Sequence, residues 1–287
     1  MTPREVRREA RAKINVFLRV LAARQDGYHD LESLVVPISL ADVVTVRDAE
    51  ALCVDVRGAS ELAGAVPAGG LNLALVAALA IGDACPDAGG AEIVVEKRIP
   101  VAAGLGGGSA DAAATLLALN ELWSGGLDLG TLVELGERIG SDVPAMLAEG
   151  PVLVSGRGEL IAPAEVLPLW WVLVRFDFGV RSPDAYRWWD EGGGTRGPDP
   201  GALLDAAAAG DAAALGPLLF NDLEAPVCAR HPEIDGAKDS LLEAGALGAV
   251  MSGSGSSVVG LARDEAHARE LARGFPGALA VAGPPPA

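Results

Sequence analysis

Residues 100–119 read PVAAGLGGGSADAAATLLAL, with four glycines within five positions at 104–108. A β-branched run at 93–95 precedes this stretch, and strong helix formers follow it. The order of strand, glycine-rich turn and helix N-terminus is typical of anion sites, because glycines let backbone N–H groups approach an anion and the helix dipole favours negative charge. Ser109 lies where an N-cap hydroxyl is expected. The stretch is therefore a candidate phosphate site.

The loop alone leaves alternatives open. No lysine follows the glycines as the Walker pattern requires, and their spacing does not match the dinucleotide fingerprint. A flexible turn is the competing interpretation, because the chain contains 37 glycines and glycine-rich turns are common.

Length and composition indicate a globular protein. The 287 residues suit one large domain or two ordinary ones, and 50% of them are apolar. No run approaches the roughly 20 apolar residues of a membrane span, and residues 1–10 are charged, without the apolar segment of a secretion signal. Cys53, Cys85 and Cys228 form neither a metal spacing nor an even disulfide set. We predict a reduced, cytoplasmic protein.

The net charge of −17 argues against binding to nucleic acid or an anionic membrane, because no global positive field exists. An acidic protein that binds a polyanion needs local donors, a few cations and a metal ion. Only three of the 22 basic residues are lysines, and two of them, Lys13 and Lys97, lie beside the motifs discussed below. The sequence thus favours a small-molecule partner, and it leaves the oligomeric state open.

Hydrophobic periodicity and turn residues predict a mixture of elements without strict alternation, which favours an α+β fold. The predicted strands are 13–20, 34–38, 43–46, 52–56, 92–99, 151–160 and 169–176, and a strand–turn–strand covers 248–260. One predicted helix starts at Asn72. The other predicted helices cover 110–119, 129–139, 203–219 with a break near Pro217, 234–244 and 264–273. Residues 66–70 form a predicted loop, and the breaker-rich segment 191–201 is predicted to be a mobile insertion.

Two side chains are candidates for phosphoryl-transfer chemistry. Asp142 stands in a turn after a helix, in an apolar stretch where a carboxylate needs a partner, and is the best candidate base. A helix-capping aspartate is the equally weighted alternative. Lys13 lies on a half-apolar strand, where lysine is a poor strand former. Its alternative is a solvent-facing residue on an edge strand.

Two turns could bind a polar ligand. His29 follows Asp-Gly-Tyr, and its ring could hydrogen-bond a ligand while Tyr28 covers it; a plain surface histidine is the alternative. The small residues at 252–257 could let the backbone approach phosphate, with a tight hairpin as the rival interpretation.

Together these segments resemble the GHMP kinase superfamily, whose phosphate loop has the form Pro-x-x-x-Gly-Leu-Gly-x-x-Ser. The resemblance is carried by AKINVFL at 12–18, DGYH at 26–29, NL at 72–73, KRIP at 97–100 with the loop, GSDVP at 140–144, GRGE at 156–159, NDLE at 221–224 and MSGSG at 251–255. The motifs occur in family order along nearly the whole chain. Lys-Ile-Asn, Asp-Gly-Tyr-His and Gly-x-Asp-Val-Pro are specific to one kind of member, which acts on a cytidine-diphosphate-linked methylerythritol.

The resemblance implies a two-domain α+β kinase. Residues 1–160 would form an ATP-binding domain like the second domain of ribosomal protein S5, and residues 161–287 a ferredoxin-like domain, with the site between them. The implied reaction moves the γ-phosphoryl group of ATP, with Mg²⁺, to the 2-hydroxyl of 4-diphosphocytidyl-2-C-methyl-D-erythritol in the non-mevalonate isoprenoid pathway.

The resemblance also implies roles for residues. Asp142 would accept the hydroxyl proton, and Lys13 would keep that aspartate ionised and polarise the hydroxyl. Asn72 and Lys97 would border the adenosine. The ATP phosphates would lie against Pro100, Val101, Ala102, Ala103, Gly104, Leu105, Gly106, Gly107, Gly108, Ser109 and Ala110. Ser109 would help hold Mg²⁺, whose other protein ligands stay unassigned.

On the substrate side, the resemblance implies that His29 hydrogen-bonds the cytosine edge, with Tyr28 and Asn15 lining the site. Tyr186 aligns best with the aromatic residue that stacks on cytosine, and Trp188 and Trp189 remain alternatives. Rival functions are another small-alcohol kinase, such as homoserine or mevalonate kinase, and a catalytically silent nucleotide-binding regulator.

Overall fold

The computed structural model describes residues 4–59, 64–66, 72–194 and 196–285. Residues 67–70 of the predicted loop and Thr195 of the predicted insertion lie outside these ranges. The chain forms two compact units. The first unit comprises Met1–Ala12, Leu40–Val101 and Gly106–Glu149, and the second comprises Lys13–Ser39, Ala102–Leu105 and Gly150–Ala287.

Two long strands contribute residues to both units, β1 (Glu5–Ala23) and β2 (His29–Ala49). Each unit is thus made of several chain segments, and the domain boundary after residue 160 stays a prediction from the sequence. The sequence also predicted two strands, 34–38 and 43–46, where β2 is continuous. The polar residue that interrupts the apolar pattern, Asp42, is fully buried, and its carboxylate accepts hydrogen bonds inside the fold.

The first unit is a sheet covered by helices. Its strands lie in the order β3 (Cys53–Gly58), β4 (Gly90–Lys97), β2 and β1, with β3 parallel and β2 antiparallel to β4. The helices are α1 (Leu73–Ala84), α2 (Gly107–Leu122), α3 (Leu129–Ile139) and α4 (Val143–Leu147). The helix predicted at 129–139 is confirmed.

Helix α2 is buried on nearly all sides. Ala110, Ala112, Ala113 and Ala118 are all under 3% exposed and lie in one core cluster with strand residues such as Ile93. Alanine is the best helix former, and its small side chain lets neighbouring elements approach closely. A helix that is apolar all round belongs in a core, so this packing fixes where α2 begins.

The second unit contains two sets of strands. The short β8 (Phe220–Asn221) pairs in parallel with β1. The strand β5 (Val152–Gly156) pairs antiparallel with β2, and β6 (Leu160–Pro163) pairs antiparallel with β5. A separate antiparallel sheet has the order β11 (Leu279–Gly283), β7 (Leu169–Val174), β10 (Val258–Ala262) and β9 (Gly248–Met251). Together with the helices, these sheets confirm the α+β class.

The helices of the second unit are α5 (Ser182–Glu191), α6 (Gly201–Ala209), α7 (Ala212–Leu215), α8 (Glu224–Cys228), α9 (Pro232–Glu243) and α10 (Glu265–Arg273). The predicted helix 203–219 is broken earlier than expected, because Gly210 adopts a left-handed conformation with φ 66° and ends α6. A 3-10 turn at Gly216–Leu218 contains the predicted breaker, Pro217. No helix among the residues described above is long and apolar enough to cross a bilayer.

The segment 191–201, predicted to be mobile, is anchored in its second half. The Gly197 N–H donates to Asp222 at 3.3 Å, and the Arg19 guanidinium donates to the Pro198 carbonyl at 3.0 Å. A Cβ at Gly197 would lie 2.4 Å from the Phe220 ring, so only glycine fits this contact. Residues 197 and 198 are thus held against β1 and β8.

Two glycines of the second unit make a matched pair for testing the packing. A Cβ at Gly216 would lie 2.1 Å from the Leu247 carbonyl oxygen, whereas a Cβ at Gly236, inside α9, would meet nothing within 4 Å. We expect Gly216→Ala to lower the free energy of unfolding by about 2 kcal/mol or more through overpacking. Gly236→Ala should raise it by up to about 1 kcal/mol, because alanine is the better helix former.

Urea-induced unfolding of the three proteins measures both effects. Equal changes for the two alanines would contradict the close backbone approach at Gly216.

Candidate active site

The glycine loop leads into a helix that no side chain caps. Gly106 stands at the N-cap of α2 in a left-handed conformation with φ 67°, and the helix begins at Gly107. Ser109 is therefore the third residue of the helix, and the expectation that it is the N-cap is wrong. Glycine takes the left-handed conformation without steric penalty and brings no capping oxygen. The first N–H groups of α2 lack helical partners and can bind an anion.

A second helix N-terminus lies beside the first. Asn72 caps α1, with its Oδ1 accepting from the Ala74 N–H at 3.0 Å and the Leu75 N–H at 3.3 Å. A Cβ at Gly108 would lie 3.5 Å from the Leu73 side chain, so the first turns of α1 and α2 are in contact. Because both N-termini carry partial positive charge, this part of the first unit favours negatively charged groups.

Lys97 is buried between two carboxylates that the sequence did not single out. Its ammonium forms ion pairs with Asp42 and, at 2.7 Å, with Asp111 in α2. Asp42 also accepts hydrogen bonds from the N–H groups of Arg98 (2.5 Å) and Ile99 (2.8 Å). The sequence signal was an isolated aspartate in an otherwise apolar strand, where a carboxylate needs partners to be buried.

The cluster shifts the pKa values of Asp111 and Lys97. Burial raises the pKa of Asp111 to about 7; the Lys97 ammonium opposes this rise, and the Asp42 carboxylate adds to it. Burial acts to lower the pKa of Lys97, but the two carboxylates outweigh it and raise that pKa. The ammonium therefore stays charged, and the carboxyl group that can take up a proton near neutral pH is Asp111.

Asp142 lies in the turn between α3 and α4 and is exposed. Its side chain caps neither helix: the C-cap of α3 is Gly140, and α4 has no side-chain cap. The helix-capping alternative is therefore wrong. A Cβ at Gly140 would lie 4.0 Å from the Ser109 hydroxyl, so the turn that carries Asp142 passes beside the first turn of α2.

In the second unit, Lys13 lies in a network of neutral oxygens. Its ammonium donates to Asn15 Oδ1 at 2.6 Å and to the Gly104 carbonyl at 3.0 Å. The Asn15 amide in turn donates to the Ser33 hydroxyl at 2.7 Å. Lys13 is only 5% exposed, so the solvent-facing alternative is wrong. Two of the hydrogen bonds of this ammonium therefore go to uncharged oxygens.

The small-residue turn at 252–257 lies against this network. The Ser252 hydroxyl accepts from the Asn15 N–H and donates to the Gly104 carbonyl, both at 3.2 Å. A Cβ at Gly253 would lie 3.2 Å from the Lys13 ammonium. Asn221 holds the turn by donating to the Met251 and Gly253 carbonyls, both at 2.7 Å. The turn therefore does more than close a hairpin, and the sequence assigned no role to Asn221.

His29 is buried among polar and aromatic groups of the second unit. Its Nε2 lies 2.9 Å from a carboxylate oxygen of Asp190, which the sequence missed. The imidazole stacks on Tyr186, with ring centroids 4.9 Å apart, and meets Trp189 edge-on at 5.7 Å. The surface-histidine alternative is wrong, because only 8% of His29 is exposed.

The other two aromatic candidates lie elsewhere in the same unit. The Arg230 guanidinium lies 4.7 Å from the centroid of the Trp188 ring, so Trp188 packs against Arg230 rather than against His29. Tyr28 is 52% exposed, and the Arg157 guanidinium lies 5.1 Å from its ring centroid. The structure thus groups Tyr186 and Trp189 with His29 and separates Trp188 from them.

Comparison with known families and proteins adds to this geometry. The model of the GHMP kinases N terminal domain matches residues 72–150, and that of the GHMP kinases C terminal matches residues 203–280. The two matches lie on either side of residue 160. The first match includes Asn72, Lys97, the loop and Asp142.

Curated relatives match almost end to end. The 4-diphosphocytidyl-2-C-methyl-D-erythritol kinase of Symbiobacterium thermophilum is 46% identical over 272 residues, which cover 92% of this chain and 94% of that protein. The kinase of the same name from Pelotomaculum thermopropionicum is 44% identical over 266 residues, with 92% and 91% covered. A crystal structure of 4-(cytidine 5'-diphospho)-2C-methyl-D-erythritol kinase matches with a TM-score of 0.83 and 36% identity, over 97% of this chain and 99% of that one.

The raised pKa of Asp111 makes stability depend on pH. Because the folded protein binds this proton more tightly than the unfolded chain, whose carboxyl has the ordinary pKa of 3.8, the stabilising contribution is present at low pH and is lost as the pH rises to about 7. We expect the free energy of unfolding of the unaltered protein, minus that of Asp111→Asn, to fall between about pH 4 and about pH 7 and then to level off.

Urea unfolding at several pH values measures this difference. Asp48→Asn, an exposed aspartate of β2, is the control for removing one carboxylate from the first unit, and the change with pH for Asp111→Asn should exceed that for Asp48→Asn. A flat difference for Asp111→Asn would contradict the assignment.

Proposed function

The chain belongs to the GHMP kinase family and, within it, to the 4-diphosphocytidyl-2-C-methyl-D-erythritol kinases, and on that premise we propose that it transfers the γ-phosphoryl group of ATP to the 2-hydroxyl of 4-diphosphocytidyl-2-C-methyl-D-erythritol. The observation that carries the proposal is the similarity, along 92% of the chain, to relatives of that name. The α+β GHMP kinase fold expected from the sequence is confirmed by the family and structural matches.

ATP is the phosphate donor of GHMP kinases, and the first unit offers groups that suit its phosphates. The N–H groups at the start of α2 have no capping side chain, and the N-terminus of α1 lies alongside. Backbone N–H groups at a helix N-terminus can bind phosphate oxygens even in a protein whose net charge is −17. Asn72 caps α1, and the ammonium of Lys97, the last residue of β4, lies beside the start of α2; both residues are proposed to border the adenosine.

Mg²⁺ is proposed to accompany ATP, where it neutralises charge on the phosphate oxygens. The ranges that the structure describes contain no cluster of three or more His, Cys, Asp or Glu residues suited to a metal ion. This fits an ion that is held chiefly by phosphates and water, as Mg²⁺ commonly is. Ser109, in the first turn of α2, is the proposed protein ligand.

Asp142 and Lys13 are proposed to act on the substrate hydroxyl. As the hydroxyl oxygen bonds to the γ-phosphorus, the bond from that phosphorus to the β,γ-bridging oxygen breaks, ADP leaves, and the hydroxyl proton passes to Asp142. A carboxylate suits this role when it is ionised beforehand. Lys13 supplies the positive charge that favours ionisation and polarises the hydroxyl, and its hydrogen bonds to Asn15 and Gly104 hold its ammonium in place.

His29 is proposed to hydrogen-bond the cytosine edge. A carboxylate only accepts hydrogen bonds, so Asp190 favours the tautomer with the proton on Nε2, and Nδ1 of the neutral ring then accepts. The exocyclic amino group of cytosine can donate a hydrogen bond to this acceptor. The corresponding carbonyl oxygen of uracil only accepts hydrogen bonds and does not match it. Tyr186 and Trp189 supply aromatic surface beside the imidazole, and Asn15 and Tyr28 complete the proposed substrate contacts.

The cytoplasmic location and the absence of nucleic-acid and membrane partners remain predictions from the sequence. They agree with the proposed chemistry, because the proposed donor and acceptor are both small polar molecules.

A steady-state assay of purified protein with ATP, Mg²⁺ and the proposed substrate tests the function directly. ADP release that depends on this alcohol is the expected result. Homoserine and mevalonate, offered in the same assay, should give at most background release. Preference for either of them would assign another alcohol kinase. ATP binding in calorimetry without transfer to any of these alcohols would instead indicate a silent regulator.

Replacing Asp142 separates catalysis from nucleotide binding. Asp142→Asn keeps the shape of the side chain but removes the base, so kcat should fall by roughly 10²–10⁴, as is typical when a general base is lost. The Kd for ATP should change little. Glu137→Gln, an exposed carboxylate on α3, is the control and should retain normal turnover. Turnover of Asp142→Asn within a few-fold of the unaltered protein would rule out its role as base.

A further inference from the structure

We propose that Asp42 is a positioning residue for the nucleotide, because its carboxylate holds the backbone that enters the glycine loop and, through Lys97, the helix that leaves it. The inference rests on the proposed function, since it assumes that the loop binds ATP. Asp42 lies on β2, outside the loop and outside both matched family regions.

The first arm of this arrangement fixes the entrance to the loop. Asp42 is fully buried and stands one residue beyond the pair Val43–Glu96, so it faces Lys97 across the antiparallel strands. Its Oδ1 accepts hydrogen bonds from the N–H groups of Arg98 and Ile99, where β4 has just ended. These peptide groups have no strand partner of their own, and the carboxylate fixes their direction immediately before Pro100.

The second arm reaches the helix after the loop. Asp42 Oδ2 pairs with the Lys97 ammonium, which also pairs with Asp111 at 2.7 Å. Asp111 lies five residues into α2, just after the residues whose N–H groups are proposed to face phosphate. The position of a Cβ at Gly107 would be 3.5 Å from the same ammonium and 2.9 Å from Ile99, so the helix start packs closely on this cluster.

The chemistry of the cluster explains why a carboxylate is needed. One aspartate has two oxygens, and here one serves two peptide groups while the other serves an ammonium. An amide of the same shape has a single acceptor oxygen, and its NH₂ group would face the Lys97 donors. Asparagine at position 42 therefore keeps one arm and loses the other. Donors that are fixed before the ligand arrives bind charge more strongly than donors that must reorganise.

The variant Asp42→Asn tests this role. It leaves Lys97 paired with Asp111 as a buried pair of no net charge, so the fold is expected to survive. We expect the Kd for a non-hydrolysable ATP analogue with Mg²⁺, measured by calorimetry, to rise about tenfold or more, the effect of losing one charge-assisted hydrogen bond. The KM for ATP should rise by a similar factor, while the KM for the alcohol changes less than about threefold.

Two further variants make the experiment decisive. Asp48→Asn removes the same charge from an exposed position of β2 and should leave the Kd unchanged. Asp111→Ala cuts only the arm to α2 and leaves Lys97 paired with Asp42, so it should raise the Kd by a smaller factor, about threefold. It also serves as the test if Asp42→Asn proves unfolded in a thermal melt.

The outcomes separate the two proposals. If the unaltered protein fails to bind the ATP analogue, the proposed function is wrong and this inference falls with it. If it binds and both cluster variants bind equally well, or if they lose only thermal stability, Asp42 is a structural residue and the positioning role is overturned.

Discussion

The buried ammonium of Lys97 is the interaction on which the phosphate-binding part of the structure depends. A lysine that is 4% exposed is tolerated only when anionic partners replace its water, and Asp42 and Asp111 do this. The three residues come from two strands and the helix that follows the loop. Their mutual attraction therefore fixes the loop at both ends, while the glycines between them supply the left-handed turns.

Lys13 is a second buried lysine among the motifs, and its hydrogen bonds differ from those of Lys97. It is as deeply buried as Lys97, yet two of its hydrogen bonds go to the neutral oxygens of Asn15 and Gly104. An ammonium paired with carboxylates is electrostatically satisfied and serves as a fixed support. The hydrogen bonds to Asn15 and Gly104 fix the direction of the Lys13 ammonium, which is proposed to act on the substrate.

Sequence reasoning succeeded where a local pattern carries the information and failed where distant contacts decide. The helix at 129–139 was predicted from its apolar period and from the turn residues that follow it, and the structure has it at Leu129–Ile139. Residues 39–42 were taken for a break in β2, because the partners that allow Asp42 in a strand lie more than 50 residues away. Segment 191–201 was expected to be mobile because its glycines and prolines give no sign of its contacts with Asp222 and Phe220.

The sequence by itself determined the α+β class, the family and the motifs proposed to carry the chemistry, because glycines, a lysine and an aspartate at characteristic spacings are local features of the chain. Only the tertiary structure decided which groups surround them. It buried Lys97 between two carboxylates, placed Asp190 and Tyr186 against His29, and set Ser252 and Asn221 around Lys13. Hydrogen bonds and ion pairs act over a few ångströms, and the partners here are brought together only by strand pairing and core packing.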